Sequence, residues 1–331
     1  MKHQFITIVS YRFNRIFANL LLLGAILAVS GCGSVSVMMT VTRPAEVNLK
    51  SYNRVAIGGI EGEGAQDLTD MLTSALFSTG RFEVLDRAHV QAIQREHQLN
   101  MSGIVDEQTA VELGKYVGAC VLLFGRVQET RFKQDSILAP KLQVEGKDYQ
   151  LHTLRGTQFV RVNLQLVDME TGRILAIQNL QGKSSDTRFA VNEWPQSVDP
   201  TPLIVNCHSQ MVSEFMRGIA PYKINLRAIF LKDDALTELE FAIANLKIGE
   251  WDQALGAFRE MTLSRNIVEL EVRGKANYNF GLALMFHGDY EESLEQLRFA
   301  LKTDPGKSLY QDAIRQCKFE KEKADKLKDQ L

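Results

Sequence analysis

The sequence predicts an α/β (α+β) sandwich domain followed by an all-α stack of helical repeats. Between residues 51 and 221, short apolar strands alternate with amphipathic helices and end in an antiparallel hairpin, which is typical of a sheet layered with helices. From residue 222 to residue 331 the apolar spacing is helical throughout. Within that region a pattern of small and aromatic residues occurs twice, which indicates a repeat architecture.

The first residues have the layout of a secretory signal peptide. A basic start precedes the apolar run Ile16–Val29. Its length of about 14 residues falls short of the roughly 20 that a membrane-spanning helix needs. Small residues then lead into Cys32. We therefore predict a cleaved signal peptide over residues 1–31; the alternative is a membrane-spanning anchor.

The cysteine at the cleavage point makes this signal one of lipoprotein type. Residues 27–32, Leu-Ala-Val-Ser-Gly-Cys, resemble the bacterial lipoprotein box, which implies that Cys32 is acylated and becomes the new N-terminus. Buried acyl chains tether a protein to a membrane surface. Gly33 follows the cysteine, where an Asp marks retention at the inner membrane in many double-membraned bacteria. We therefore predict a lipid anchor in the outer membrane, with the chain on its periplasmic face.

Charge and cysteine content argue against several kinds of site. The chain has 38 basic and 40 acidic residues and no long basic run, so it is poorly suited to bind nucleic acid by neutralising phosphates. After Cys32, three widely spaced cysteines remain, Cys120, Cys207 and Cys317, and none belongs to a CxxC pair. Neither a zinc site nor a disulfide framework is indicated. Cys120 lies in an apolar run that is typical of a buried strand.

The predicted elements follow one another along the chain. Residues 32–50 are rich in Ser, Val and Thr and are predicted to be a spacer between the lipid and a domain at residues 51–221. That domain opens with a strand and a helix that Gly80 ends. A run of strand-type alternation later continues through a turn at residues 168–172. The predicted strands are 54–60, 82–85, 119–127, 159–167 and 174–181, and the predicted helices are 65–78, 88–99, 106–117 and 202–219.

The region 222–331 is predicted to hold tetratricopeptide-like repeats with a capping helix at residues 308–331. Small residues at Gly281 and Ser293 let two antiparallel helices approach, and Pro305 ends the second. An earlier unit, marked by Gly249 and Trp251, has the same order. The spacing of the two units exceeds the usual 34 residues by about five. The alternative is a plain pair of helical hairpins. The positions that match the repeat are Phe280, Gly281, Leu284, Gly288, Tyr290, Ser293, Leu297, Ala300, Leu301 and Pro305.

Repeats of this kind present a concave face to a partner protein, and the first helix of each pair lines that face. Lys275 and Asn277 are polar positions on such a helix, so they are our candidate partner-binding residues. The alternative for both side chains is a solvated helix face.

No motif for catalysis, a cofactor or a metal emerges. The loop Gly58–Gly64 joins a strand to a helix, where a phosphate site could lie. However, no Lys-Ser/Thr pair follows it, and Glu61 and Glu63 would repel a phosphate. His89 and His97 could share a helix face, but no carboxylate or cysteine accompanies them at ligand spacing. Neither GxSxG nor HExxH is present. We therefore predict that the protein is not an enzyme and has no catalytic residues, cofactor or metal.

Several segments between Arg54 and Ile219 resemble the CsgG family of curli production assembly and transport lipoproteins. The most specific are Gly-Ala-Cys-Val-Leu-Leu-Phe-Gly at residues 118–125 and Val-Asn-Leu-Gln-Leu-Val-Asp-Met-Glu-Thr-Gly-Arg-Ile-Leu at residues 162–175. The lipoprotein box, the first strand and helix, Phe82–Arg87 and the helix with Cys207 also match. The resemblance implies a lipid-anchored outer-membrane protein that faces the periplasm and binds no nucleotide. The best-known members form ring oligomers that export amyloid subunits through a shared β-barrel.

Two departures from the family pattern change what is expected. The connection Glu61–Ala65 is short and acidic, so no residues of a channel constriction are carried over. The segments where barrel strands would lie, residues 127–151 and 183–202, hold many charged residues. An Arg or Lys at the bilayer midplane costs about 2–4 kcal/mol. We therefore predict that both segments are soluble hairpins or loops.

Together these inferences predict a non-catalytic outer-membrane lipoprotein, facing the periplasm, that acts in the assembly or export of a surface or secreted polymer. Homo-oligomerisation and protein binding at the helical repeats would support that role. The alternative is an oligomeric β-barrel secretion channel of the curli type.

Overall fold

The computed structural model describes residues 33–85, 111 and 120–331. The predicted signal peptide (1–31), Cys32, the predicted helix 88–99 with His89 and His97, and all of the predicted helix 106–117 except residue 111 lie outside these residues. The chain divides into two compact units. One consists of Met1–Thr42 and Lys223–Asp325, and the other of Arg43–Tyr222 and Lys326–Leu331. We call the first the helical unit and the second the sheet unit.

The elements of the described residues confirm a mixed α/β region followed by helices. The strands are β1 (Ser34–Arg43), β2 (Arg54–Glu61), β3 (Glu83–Leu85), β4 (Val121–Leu138), β5 (Leu142–Val144), β6 (Lys147–Tyr149), β7 (Leu151–Asp168), β8 (Ile174–Val191) and β9 (Tyr222–Leu231). The helices are α1 (Ala65–Ser78), α2 (Thr201–Ile219), α3 (Leu239–Ile248), α4 (Trp251–Leu263), α5 (Leu270–His287), α6 (Tyr290–Thr303) and α7 (Ser308–Lys328).

The sheet unit is built on a five-stranded sheet with the order β3-β2-β4-β7-β8. β2 pairs in parallel with β3 and β4, whereas β4–β7 and β7–β8 are antiparallel. The predicted hairpin between β7 and β8 is confirmed. The Asp168 carboxylate accepts hydrogen bonds from the Glu170 N–H at 2.8 Å and from the Thr171 hydroxyl at 2.6 Å, which closes the turn as an Asx motif does.

Helices α1 and α2 provide the apolar residues that cover the sheet. Leu68, Leu72 and Leu76 of α1 are fully buried, as the predicted helical stripe requires. From α2, Met211 and Phe215 enter the same core. Gly64 caps the start of α1 and a left-handed Gly80 follows its end, in agreement with the predicted bounds.

The segments predicted to be hairpins or loops at residues 127–151 and 183–202 are more regular than expected. β4, β7 and β8 each run for 18 residues, beyond the predicted ends at 127 and 181. Cross-strand pairs of polar and charged side chains support the added length. The short strands β5 and β6 continue the β4–β7 hairpin through a turn in which Glu145 and Gly146 both have positive φ. This conformation matches the twist of a tight hairpin.

The last residues of the chain belong to the sheet unit. The side-chain amide of Gln330 accepts a hydrogen bond from the Ala45 N–H at 2.7 Å and donates one to the Ala45 carbonyl at 2.8 Å. Arg81 donates to the Gln330 carbonyl at 3.2 Å. Since Gln330 is buried, its paired amide groups fix this end of the chain.

Two predictions about the helical unit are wrong. Residues 34–43, predicted to be spacer, form β1, and residues 222–231, predicted to be helical, form β9; the two strands make a two-stranded sheet. Both segments alternate apolar and polar residues, and this period of two places Val37, Met39 and Phe230 in the core of the helical unit. The alternation typical of a strand therefore determines the structure directly after Pro221, where a helix was predicted.

The helices of this unit pack closely where small residues were predicted. The Ser293 hydroxyl donates to the Gly281 carbonyl at 2.6 Å. A Cβ atom at Gly281 would lie 2.8 Å from Leu297 Cγ, so only glycine permits this approach of α5 and α6. Gly249 and Gly288 end α3 and α5 in the left-handed conformation. The tetratricopeptide identity of these repeats stays a prediction. Across residues 33–85, 111 and 120–331, no helix is both long enough and apolar enough to traverse a lipid bilayer.

Candidate functional site

The distal parts of β4, β7 and β8 form a three-stranded arm, defined here as residues 128–160 and 182–191. β4 is buried at Val121–Leu123 but mostly exposed from Gln128 onward. β7 is the middle strand and pairs along its length with both neighbours. The arm therefore exposes side chains that the core of the unit does not need.

One face of the arm carries mainly basic residues. The odd-numbered residues of β7 point to this face, and their register neighbours on β4 and β8 share it. We call this surface the basic face. Its cations outnumber its acids, which are Glu129 and Asp135, since Asp168 and Asp186 of these strands lie on the opposite face. The cations of the arm on this face are Arg131, Lys133, Arg155 and Lys183, and the basic face continues beyond the arm to Arg126 and Arg161.

The aromatic ring of Phe159 lies between two guanidinium groups at the centre of the basic face. The Arg131 and Arg161 Cζ atoms lie 5.8 and 5.4 Å from the ring centroid of Phe159, which is the range of a cation–π contact. Glu129 lies 3.6 Å from Arg131 Nε and 3.7 Å from an Arg161 amino group. All these pairs are well exposed, so each ion pair contributes at most about 1 kcal/mol and both cations stay accessible to a ligand.

The opposite face of the arm is covered by the chain that follows β8. We call residues 192–200 the strap. Val198 packs on Gly156, where a Cβ atom would lie 2.6 Å from a Val198 methyl group. The Val198 N–H donates to the Gln134 side-chain carbonyl at 2.9 Å. Trp194 meets His152 edge to face, with ring centroids 4.6 Å apart. These contacts hold the strap in place, so the basic face is the open side of the arm.

Exposed apolar side chains gather at the tip of the arm. In register, Ile137 lies opposite Thr153, which lies opposite Phe189. Ile137 and Phe189 are 56% and 68% exposed. Exposed apolar residues in a group are typical of a surface that contacts a partner. The other large exposed apolar residues of this region are Leu138, Leu142, Val144, Tyr149, Leu151, Val191 and Trp194.

The two residues predicted to bind a partner are engaged within the chain. Lys275 forms ion pairs with Asp233 at 3.0 Å and Glu271 at 2.9 Å. Burial acts to lower the pKa of Lys275, but its hydrogen bonds to the two carboxylates outweigh burial and the pKa is raised. Asn277 is buried and donates to the Arg273 carbonyl one helical turn before it, at 2.8 Å. Binding through Lys275 and Asn277 stays a prediction.

Two neighbouring residues, Tyr278 and Asn279, bind the backbone of β9 and were not predicted from the sequence. The Tyr278 hydroxyl donates to the Ile229 carbonyl at 3.0 Å, and the Asn279 amide pairs with the backbone of Leu231. Both residues are buried. Polar residues inside an apolar helix were the available signal, because buried polar groups need a partner.

The cysteines that the structure describes lie in the interior of the protein. Cys120, Cys207 and Cys317 are free and buried. Burial raises the pKa of all three thiols, that of Cys120 to about 11, so little reactive thiolate forms near neutral pH. Among the residues that the structure describes, no three His, Cys, Asp or Glu side chains are grouped to hold a metal ion. The predicted absence of a metal site stays a prediction, since His89 and His97 lie outside those residues.

A family model agrees with part of the resemblance seen in the sequence. The model described as curli production assembly/transport component CsgG matches residues 46–194. This segment, which includes β2–β8, α1 and the start of the strap, is similar to the CsgG family. The resemblance expected for residues 54–219 is thus confirmed over most of its length.

Solved structures offer more distant likenesses. Lipoprotein GNA1162 from Neisseria meningitidis is 14% identical, with a TM-score of 0.28, over 40% of this chain and 83% of that one. The C-terminal domain of LpoB from Salmonella enterica is 14% identical, with a TM-score of 0.25, over 42% of this chain and 83% of that one. A minor lipoprotein from Acinetobacter baumannii is 13% identical, with a TM-score of 0.24, over 50% and 91%. No curated protein matches the chain.

Proposed function

We propose that this chain is a non-catalytic lipoprotein of the outer membrane, facing the periplasm, that assists the assembly or export of a surface polymer by binding a protein partner. The observation that carries the proposal is the match of residues 46–194 to a curli production assembly/transport family. The exposed basic face belongs to the same segment. A rigid, exposed surface without grouped reactive side chains suits binding better than catalysis.

The partner site is the basic face together with the apolar tip of the arm. Six cations against two acids on the basic face favour an acidic partner segment, because complementary charge speeds and orients association. The half-buried Phe159 and the exposed Phe189 add apolar area that a partner would bury. Since the β7 register fixes these side chains on a continuous sheet, binding needs little ordering of the site.

The lipid on Cys32 provides the membrane contact of the proposal. The acylated cysteine would precede β1 by a single residue, Gly33, so the helical unit would lie close to the membrane surface. An anchor of this kind concentrates the chain where a polymer is assembled or exported.

Complementation of a deletion strain tests the proposal. The wild-type chain is expected to restore the surface polymer, whereas Arg131→Glu combined with Arg155→Glu restores little, because it cancels the net positive charge of the basic face. The control Arg265→Glu changes an exposed cation of the helical unit and is expected to restore fully. All variants are compared at equal protein level and equal helical content.

Two results would contradict the proposal. Full complementation by the doubly reversed arm would remove the basic face from the function. Steady ion conductance of the purified protein in planar bilayers would favour the secretion channel instead.

A further inference from the structure

The two-stranded sheet of the helical unit has two edges of different character. The Lys232 N–H donates to the Gly33 carbonyl at 2.8 Å, and the Thr40 and Asn225 side chains meet at 2.8 Å. These contacts fix one antiparallel register of β1 against β9. In that register the odd-numbered residues of β1 bond to β9, and the even-numbered residues direct their N–H and C=O groups to the outer edge.

The outer edge of β9 is closed. The backbone groups of Leu231 and Ile229 face away from β1. Asn279 binds both backbone groups of Leu231, and the Tyr278 hydroxyl donates to the Ile229 carbonyl. Farther along, the exposed cations Lys223 and Arg227 lie on this strand. Charged side chains on an edge strand deter pairing with another strand. No further strand is expected to join the sheet on this side.

Within the part of the chain that the structure describes, the outer edge of β1 is open. Residues 34–42, Ser-Val-Ser-Val-Met-Met-Thr-Val-Thr, contain no charge and no proline. Among the described residues, none forms a hydrogen bond with the outward backbone groups of Ser36, Met38 or Thr40. The side chain of Met38 is 63% exposed. An uncharged edge with β-branched residues is a template for pairing with another strand.

We infer that β1 pairs antiparallel with β1 of a second copy of this chain. A register centred on Met38 brings all of residues 34–42 into the pairing and places Ser36 opposite Thr40. The facing side chains are uncharged, so no repulsion opposes the contact, and cross-strand Ser–Thr pairs are favourable. A two-fold axis through Met38 makes the contact closed and self-complementary.

The pairing extends the core of the helical unit. Val37 and Met39 lie on the inner face of β1 and would meet the same residues of the second copy, so the apolar inner face continues across the axis. The product is a four-stranded sheet with β9 at both ends. Its outer edges are then the two that Asn279 and the β9 cations already close, so the assembly stops at two copies.

The pairing itself does not need the lipid, but its strength in a cell rests on the proposed acylation of Cys32. Two chains anchored in one membrane share a small volume, which raises their effective concentration. The competing occupant of the edge is an extended segment of a different protein, which would add a strand in the same way.

Disulfide trapping of the full-length, lipidated chain tests the inference. Opposed residues of a bonded antiparallel pair have Cα atoms about 5.5 Å apart, which suits a disulfide. Met38→Cys is therefore expected to give mostly covalent dimer on mild oxidation. Ser36→Cys is the matched control, because its two cysteines would be displaced by four residues, about 13 Å. The double variant Ser36→Cys with Thr40→Cys is expected to cross-link again.

A charge at the two-fold axis provides a second readout. Met38→Lys places two ammonium groups opposite each other and is expected to weaken dimerisation at least tenfold in analytical ultracentrifugation, whereas Met38→Thr retains the dimer.

Failure of Met38→Cys to cross-link above the Ser36→Cys level overturns the inference, as does a disulfide adduct with a different protein. Palmitate labelling of the same samples separates the two proposals: labelled but monomeric protein refutes the pairing, and unlabelled dimer refutes the anchor.

Discussion

Asn279 binds both backbone groups of Leu231. Its side-chain carbonyl accepts a hydrogen bond from the Leu231 N–H, and its amide nitrogen donates one to the Leu231 carbonyl, each at 2.8 Å. The residue is completely buried, and backbone groups buried without a partner are costly. The amide therefore takes the place of a neighbouring strand and lets β9 lie against α5.

Replacing this amide with an apolar group of similar size removes both hydrogen bonds. We expect Asn279→Leu to lower the free energy of unfolding by roughly 2–4 kcal/mol, because the Leu231 N–H and carbonyl are left unsatisfied. Urea denaturation followed by circular dichroism measures the change. The control is Asn277→Leu on the same helix, whose amide bonds only to a carbonyl of its own helix. Equal losses in the two variants would contradict a special role for the Leu231 contact.

The contact of α2 with β8 depends on a glycine. A Cβ atom at Gly182 would lie 2.5 Å from the Cys207 carbonyl oxygen, closer than such atoms approach. We expect Gly182→Ala to destabilise the sheet unit by about 1–3 kcal/mol through overpacking. Gly256→Ala is the control, since nothing lies within 4 Å of its added methyl group and alanine favours a helix by about 1 kcal/mol. Thermal unfolding of both variants should therefore shift in opposite directions.

The parts of the fold that sequence reasoning predicted share a strong local signal. The stripe Leu68, Leu72 and Leu76 has the helical period and is buried. The turn at Asp168 has both the carboxylate and the glycine that such a turn requires. In each case the period or the turn chemistry is set by neighbours in sequence, so no knowledge of distant contacts was needed.

The parts that were missed depend on distant partners. β1 and β9 pair across nearly 200 positions of sequence, as the contact of Thr40 with Asn225 illustrates, and each alone is a short segment of Ser, Thr and apolar residues. The arm was predicted to be soluble hairpins or loops because its charges argued against a membrane. The length of its strands was not predicted, although alternating polar residues can form a strand in water. The sequence showed the charged residues of β4 in the proposed partner site. It did not show that Phe159 and Arg155 lie beside them, because that depends on the register of β7 against β4.

His208 gives the sheet unit a stability that depends on pH. The residue is 1% exposed and packs against Gly64 at the start of α1. Burial lowers the pKa of His208, and the nearby Asp67 carboxylate opposes this only in part. The folded state therefore binds the proton less readily than the unfolded state, whose pKa is about 6.5.

The sign of the pH effect follows from this difference. The stability contribution of neutral His208 is complete above about pH 6.5 and is lost as the pH falls through the lower folded pKa. We expect the unfolding midpoint to decrease as the pH is lowered below about 6.5, and His208→Gln to flatten that slope. His287→Gln, at an exposed histidine paired with Asp289, is the control and should keep the slope. If His208→Gln has the same slope as the wild-type chain, a group other than His208 causes the pH dependence.

Acylation of Cys32 is expected to determine where the protein resides. Each buried CH₂ of an acyl chain contributes about 0.8 kcal/mol, so more than one chain gives a stable anchor. We expect the full-length chain to incorporate labelled palmitate and to float with membranes in a density gradient, and Cys32→Ser to lose both properties. Cys317→Ser is the control, because that thiol is buried beside Ser293 Oγ at 3.2 Å and should take no label. Palmitate retained by Cys32→Ser would contradict the anchor, whereas label lost with membrane association retained would indicate that the protein itself contacts the membrane.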